Sequence, residues 1–232
     1  MSARPAVFPD ATRSDAGTVL VSSWVVGTAE RQRIAADLML DEWEARQRPD
    51  ALLSLNAFLS LDGGHILYYA QWTNDEDHLT WVRNGRAEAV SRVDSVIPGI
   101  ERPGLTRYQP PHTVVPVGTG DASRRPGFVV AITFRTESPA AQRALTNAIA
   151  ARLRTQPIPG LIAAHVHDDR SGDRVLNWAE WADEQSWRAF VAGPVSAELA
   201  QAIEDLPGVT PLGGVPYRLH RSLVNVAPVA HA

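Results

Sequence analysis

Apolar and polar positions alternate along two stretches of this chain in the same way. Val19 to Val26 and Phe128 to Phe134 are β-branched, apolar runs that predict a first strand in each stretch. Ser138-Pro139 is a helix start, and behind it Leu145, Ile149 and Leu153 recur every four residues, one face of a helix. Leu52 to Leu61 and Leu161 to His167 predict second strands. Asp62-Gly63-Gly64 and Ser171-Gly172-Asp173 predict hairpin turns, and Ile66 to Thr73 and Val175 to Ala182 third strands. Acidic residues after Asn74 and Asp183 open a second helical region, which Pro98-Gly99 and Pro207-Gly208 close. Last strands are expected near Thr106 to Val117 and Tyr217 to Val226.

The two stretches are copies. Val21 and Val130, Gly63 and Gly172, Leu67 and Leu176, Trp72 and Trp181, Pro98-Gly99 and Pro207-Gly208, and Tyr108 and Tyr217 all stand 109 positions apart, without a gap. The period is far longer than that of a solenoid. It divides the chain into an N-terminal lead (1–17, read as disordered), unit 1 (18–117), a Gly/Pro-rich linker (118–126), unit 2 (127–226) and a tail (227–232). The order βαββαβ is the ferredoxin-like unit, an α+β fold with helices on one face of an antiparallel sheet. The bare face of such a sheet needs cover, and two fused copies supply it to each other. The expected architecture is therefore an intramolecular dimeric α+β barrel: a monomer with pseudo-twofold symmetry, or a homodimer of such chains.

Composition narrows the chemistry. All 22 basic residues are Arg, so Schiff-base chemistry and a phosphate-binding Walker lysine are excluded. There is no Cys, which excludes thiol nucleophiles, iron–sulfur clusters, thiolate zinc sites and disulfides. A net charge of −4 and a pI near 6.0 give no reason to expect a nucleic-acid or membrane-surface partner. No apolar run reaches the length of a membrane span and no secretory signal is visible, so a cytoplasmic protein is expected.

Candidate chemistry concentrates in Asn177-Trp178-Ala179-Glu180-Trp181. On a strand, Asn177, Ala179 and Trp181 share one face, with Trp178 and Glu180 on the other. The small Ala179 leaves room between an amide and an indole N–H, a mould for a flat ring with polar edges. A Trp packed between sheet and helices has the same spacing. A hairpin centred on Gly172 sets His167 opposite Asn177 and puts His165 on that face too. His167 then suits a general base titrating near pH 6.5. The equivalent positions of unit 1 are Phe58, Tyr68 and Trp72, so unit 2 is expected to hold the active pocket. His165 and His167 could share a metal ion, but with Glu180 on the far face they lack a third ligand, and no metal site is expected.

Gly127-Phe-Val-Val-Ala-Ile-Thr-Phe134, Pro159-Gly-Leu-Ile-Ala-Ala164, Asn177-Trp-Ala-Glu-Trp181 and Ser196-Ala-Glu-Leu199 followed by Leu206-Pro-Gly208 resemble the antibiotic biosynthesis monooxygenase family. The resemblance implies a pocket between sheet and helices and a cofactor-free monooxygenase with O₂ as co-substrate. Its substrate would be a small aromatic polyketide, a phenol or anthrone oxidised to a quinone. It implies catalytic roles for His167, Asn177 and Trp181, with His165, Trp187, Phe58, Tyr68 and Trp72 as substrate contacts. Trp187 stands where the family has a pocket Tyr, and the family's later Arg falls near Ala200 or Gln201. A polyketide aromatase/cyclase, a haem-degrading oxygenase and a non-enzymatic aromatic-ligand-binding protein are alternatives that the same resemblance leaves open.

Overall fold

β-branched and aromatic runs become strands here because both of their faces are covered, and polar cap residues fix where the helices begin. The computed structural model of the chain describes residues 7–118 and 125–225, without the side chains of 84–89. The first repeat gives β1 (Thr18–Val25), α1 (Ala29–Ala45), β2 (Leu52–Ser60), β3 (His65–Trp72), α2 (Asp75–Val96), β4 (Leu105–Tyr108) and β5 (His112–Val114). The second gives β6 (Phe128–Thr136), α3 (Pro139–Thr155), β7 (Leu161–Asp168), β8 (Arg174–Trp181), α4 (Glu184–Val191), α5 (Pro194–Glu204) and β9 (Val209–Val224). Thr28, Asn74, Ser138 and Asp183 each accept a backbone N–H of the first turn behind them, which sets the starts of α1, α2, α3 and α4.

The compact units are not the sequence repeats. One is built from the described residues up to Arg107 together with those from Leu219 onward, and the other from Tyr108–Arg218. Residues 108–117 thus pack in the second unit, and the chain from Leu219 packs in the first, against the expected boundaries of 18–117 and 127–226. Sheet pairing is the physical reason. β5 pairs antiparallel with β7, and the end of β9 lies beside β2, so each gives an otherwise bare strand a hydrogen-bonding neighbour. In the first unit the order β4-β1-β3-β2 is the ferredoxin-like one, and in the second β9-β6-β8-β7 repeats it.

Three further expectations change. Pro110-Pro111 splits the last strand of the first repeat into β4 and β5, because proline has no N–H for the ladder. Gly193-Pro194 splits the second helix of the second repeat into α4 and α5, with Pro194 at the first turn of α5, whereas α2 runs unbroken. The lead is expected to be disordered up to Gly17, yet residues 7–17 are packed on the first unit. Ala11 and Ala16 are buried, and Phe8 meets Phe58 edge-on at 5.7 Å. The buried Gln71 amide donates to Asp10 O at 2.7 Å. The expected linker falls largely, and the tail entirely, outside the described residues.

In the first unit, Ala35, Ala36, Met39, Leu40 and Trp43 of α1 face Leu20, Leu55, Tyr68 and Trp72 of the sheet. In the second, Ala141, Leu145, Ile149 and Leu153 of α3 form the corresponding buried stripe. Among the described residues no helix is long and apolar enough to cross a membrane.

Candidate active site

The β7–β8 hairpin decides which side chains can meet. Its turn is built on Asp169, whose Oδ1 accepts the N–H groups of Gly172, Asp173 and Arg174 at 3.0–3.1 Å and the Gln142 amide at 2.8 Å. Gly172 sits at φ +89, a conformation that disfavours a side chain. This turn centres the hairpin between Ser171 and Gly172, half a residue from the expected position. Val166 therefore pairs with Asn177, His167 with Leu176 and His165 with Trp178. A one-residue change of partner moves a side chain to the other face. His167 does not stand beside Asn177 but behind it. The β2–β3 hairpin has the same register, with Phe58 opposite Leu67, so Phe58 is likewise separated from Tyr68 and Trp72 and packs on Phe8 instead.

One face of β8 carries Asn177, Ala179 and Trp181, as alternation predicts. β6 adds Phe128 opposite Trp181, Val130 opposite Ala179 and Ile132 opposite Asn177. Trp187 of α4 reaches this face, its ring 5.4 Å from Phe128, and Phe190 lies 5.3 Å from Trp181. Phe190 also lines a cavity of about 380 Å³ where α4 turns into α5. Asn177 and Trp181 are 7% and 2% exposed. Asn177 Oδ1 and Trp181 Nε1 are both buried with no hydrogen-bond partner among the described residues. Buried polar atoms are nearly always paired, so two such orphans on one face, with only Ala179 between them, single this pair out as the candidate ligand contacts of the second unit.

The other face of the same strands holds a closed polar cluster. His165 Nε2 stands 3.4 Å from a Glu180 carboxylate oxygen, and its Nδ1 is 2.8 Å from Thr113 Oγ1. The Trp178 indole donates to Glu180 at 3.4 Å. Glu180 is thus beside His165, not across the sheet from it. Among the described residues no group of three His, Asp or Glu is placed to hold a metal ion. His167 is wholly buried, its Nδ1–H donating to Gln109 O at 3.0 Å, and burial pushes its pKa down to about 3. It is neutral at pH 7 but far too weak to be the near-neutral base expected of it, because the imidazolium is not solvated there.

In the first unit, Tyr68 and Trp72 line a cavity of about 70 Å³ between sheet and helices, with His78, Trp24, Trp43 and Trp81. His78 stands where unit 2 has Trp187, and the 109-residue offset carries that signal.

The fold is a ferredoxin-like α+β unit occurring twice, with an aromatic-walled site on the helix-covered face of its sheet. Residues 127–202 match the family described as antibiotic biosynthesis monooxygenase. An anthrone oxidase-like protein of known structure is 18% identical over 94% of this chain and 98% of that one, with a TM-score of 0.72, so the likeness of fold runs through both repeats. A monooxygenase from the ActVA-Orf6 gene of Streptomyces coelicolor, solved in complex with nanaomycin D, is 33% identical over 44% of this chain and 94% of its own, with a TM-score of 0.39. The comparison with curated proteins returns no match. Through its second repeat the chain belongs to the antibiotic biosynthesis monooxygenase family.

Proposed function

We propose that the chain is a cofactor-free monooxygenase that oxidises a phenolic, anthrone-type polycyclic aromatic to a quinone, with Asn177 and Trp181 seating the substrate. The observation that carries this reading is the pair of orphaned polar atoms, Asn177 Oδ1 and Trp181 Nε1, above Ala179. Cα atoms four residues apart on a strand are about 13 Å apart. The pair therefore brackets the two edges of a fused-ring system and does not converge on one oxygen. Asn177 Oδ1 accepts from a phenol O–H at one edge, and the Trp181 N–H donates to the oxygen that becomes anionic at the other. Phe128, Trp187 and Phe190 supply the flat apolar walls.

The substrate is the reductant. Solvent takes one proton from the substrate CH₂ as the substrate enters the site, giving an enolate-like anion, which passes an electron to O₂. The substrate radical and superoxide combine into a C–O bond; the resulting peroxide anion takes up a proton, and the hydroperoxide loses water to leave the carbonyl. One O₂ and one CH₂ give one C=O and one H₂O, so electrons balance without a bound redox group. Neither Asn177 nor Trp181 is a base; their part is to lower the energy of the anion in a site shielded from water. The family and the names of the similar structures, anthrone oxidase-like and monooxygenase, support the same class of reaction.

The test is oxygen consumption with 1,8-dihydroxyanthrone, corrected for autoxidation, before and after chelation and removal of any bound flavin. The reading expects one O₂ per quinone and an unchanged rate after both treatments. Loss of turnover after either would overturn the cofactor-free mechanism.

A further inference from the structure

Trp181 lies under α4. The Phe190 ring stands 5.3 Å from it and the Trp187 ring 5.4 Å from Phe128, and Trp181 is only 2% exposed. A flat ring reaches the Trp181 N–H only if α4 gives way. Yet none of the residues of α4 is fully buried, so little apolar area holds the helix down, the mark of an element that opens at low cost. Its anchors are gathered at its start. Asp183 accepts the Ser186 N–H at 2.7 Å, Glu184 pairs with Arg218 at 2.5 Å, and Ser186 sits so close to Gly160 that a side chain there would have no room. At its end the Gly193-Pro194 step interrupts the helix. Pro194 has no N–H to bond back into α4, and α5 begins without a side-chain cap while being tied to α3 through Glu198 and Arg152.

The groove of about 380 Å³ undercuts this loose end. One wall is Pro157, Ile158 and Pro159 of the α3–β7 connection, stiffened by its two prolines, and the other is Ala189 and Phe190 of α4 with Val195 of α5. No charged side chain lines it, and its volume falls in the range of small-molecule sites, roughly 300–1,000 Å³. Phe190 borders the groove and covers Trp181 at once.

We infer that α4 is a hinged flap, that Phe190 is its gate, and that this groove is the way in to Trp181 for a neutral planar aromatic. The last turn of α4 lifts, the Gly193-Pro194 junction absorbs the change, and Phe190 moves off the Trp181 ring. The matching helix of the first repeat, α2, runs unbroken over Asp75–Val96 and has no such hinge. That the incoming ring is a substrate rests on the proposed function; the movement itself does not.

The experiment has two readouts on the full chain: deuterium exchange of the indole N–H groups in ¹⁵N–¹H correlation spectra, and the association rate of 1,8-dihydroxyanthraquinone from stopped-flow quenching of indole fluorescence. Phe190→Ala removes the gate and is expected to speed exchange at the Trp181 indole by roughly tenfold or more. Exchange at Trp178, which is on the other face and bonded to Glu180, should not change. Phe190→Leu keeps part of the bulk and should fall between the parent and Phe190→Ala. Ala189→Phe narrows the groove from the α4 side and is expected to slow association of the quinone by roughly tenfold. The gate is refuted if Trp181 exchanges alike in the parent and Phe190→Ala, if Trp178 exchange rises in step with it in both substitutions of Phe190, or if Ala189→Phe takes up the quinone as fast as the parent. Gated uptake of the quinone by a protein that does not oxidise 1,8-dihydroxyanthrone would count against the proposed reaction and leave the gate in place.

Discussion

His167 and Asn177 lie on opposite faces of one sheet, because His167 pairs with Leu176 and Asn177 with Val166. The two unpartnered polar atoms, Asn177 Oδ1 and Trp181 Nε1, are therefore on the helix-covered side, and the histidine is locked into the packing on the other. That separation divides the consequences of mutating the two residues into stability for one and chemistry for the other.

His167 makes the fold acid-sensitive. Its pKa is about 3 when folded and near 6.5 when exposed, so the unfolded chain binds the extra proton between these values. Stability from this residue is complete above pH 6.5 and is lost as pH falls toward 3, by up to about 1.4 kcal/mol per pH unit. Urea titrations of the parent and His167→Gln at pH 7.5, 6.0 and 5.0 check this. The parent should lose stability more steeply than the variant, and parallel losses would contradict it.

Asp169 sets the register. Its carboxylate accepts three backbone N–H groups and the Gln142 amide, so Asp169→Ala leaves buried donors unpaired and is expected to cost about 3 kcal/mol. Chemical denaturation measures the loss, and ¹⁵N shifts at Gly172, Asp173 and Arg174 should report the opened turn.

The alternation that put Asn177, Ala179 and Trp181 on one face was legible, since a strand's period of two needs no knowledge of its neighbours. The two repeats were legible for a similar reason: Trp72 and Trp181, or Gly63 and Gly172, answer to the same local geometry. The pairing of His167 was not, because it depends on how the Asp169 carboxylate gathers the turn, a half-residue matter invisible in hydrophobic pattern. The packing of residues 7–17 leaves no sign in the sequence, because their Pro, Asp and Arg look solvated, while the contacts that order them, Phe8 on Phe58 and Asp10 on Gln71, are distant in sequence. The strands that cross between compact units leave no local signature either. His78 was within reach through its alignment with Trp187, but a histidine replacing a tryptophan draws no notice without the cavity around it.

The N-terminal segment bears on stability. Removing residues 1–12 takes away the acceptor for the buried Gln71 amide and the ring on Phe58. It should lower unfolding free energy by about 2 kcal/mol or more, with the fold retained. An unchanged denaturation midpoint would show that the contact contributes nothing.

Asn177 is a trade between stability and function. Asn177→Leu replaces a side chain whose buried Oδ1 is unsatisfied by an apolar one of similar volume, so the free protein should be as stable as the parent or more stable by up to about 1 kcal/mol. Activity toward the anthrone should nevertheless fall by tenfold or more. A marked loss of stability would mean that the amide is already satisfied within the fold.

The most direct test compares kcat for 1,8-dihydroxyanthrone oxidation in Trp181→Phe and His167→Gln, each checked by thermal melting. Trp181→Phe removes one donor to the developing anion and little volume. A charge-directed hydrogen bond of about 1.5–3 kcal/mol corresponds to a roughly ten- to hundredfold loss. His167→Gln keeps a donor toward Gln109 O and touches nothing on the substrate face, so the folded variant should stay within about threefold of the parent. A full rate in Trp181→Phe together with a collapse in folded His167→Gln would contradict the account and place the chemistry on the other side of the sheet.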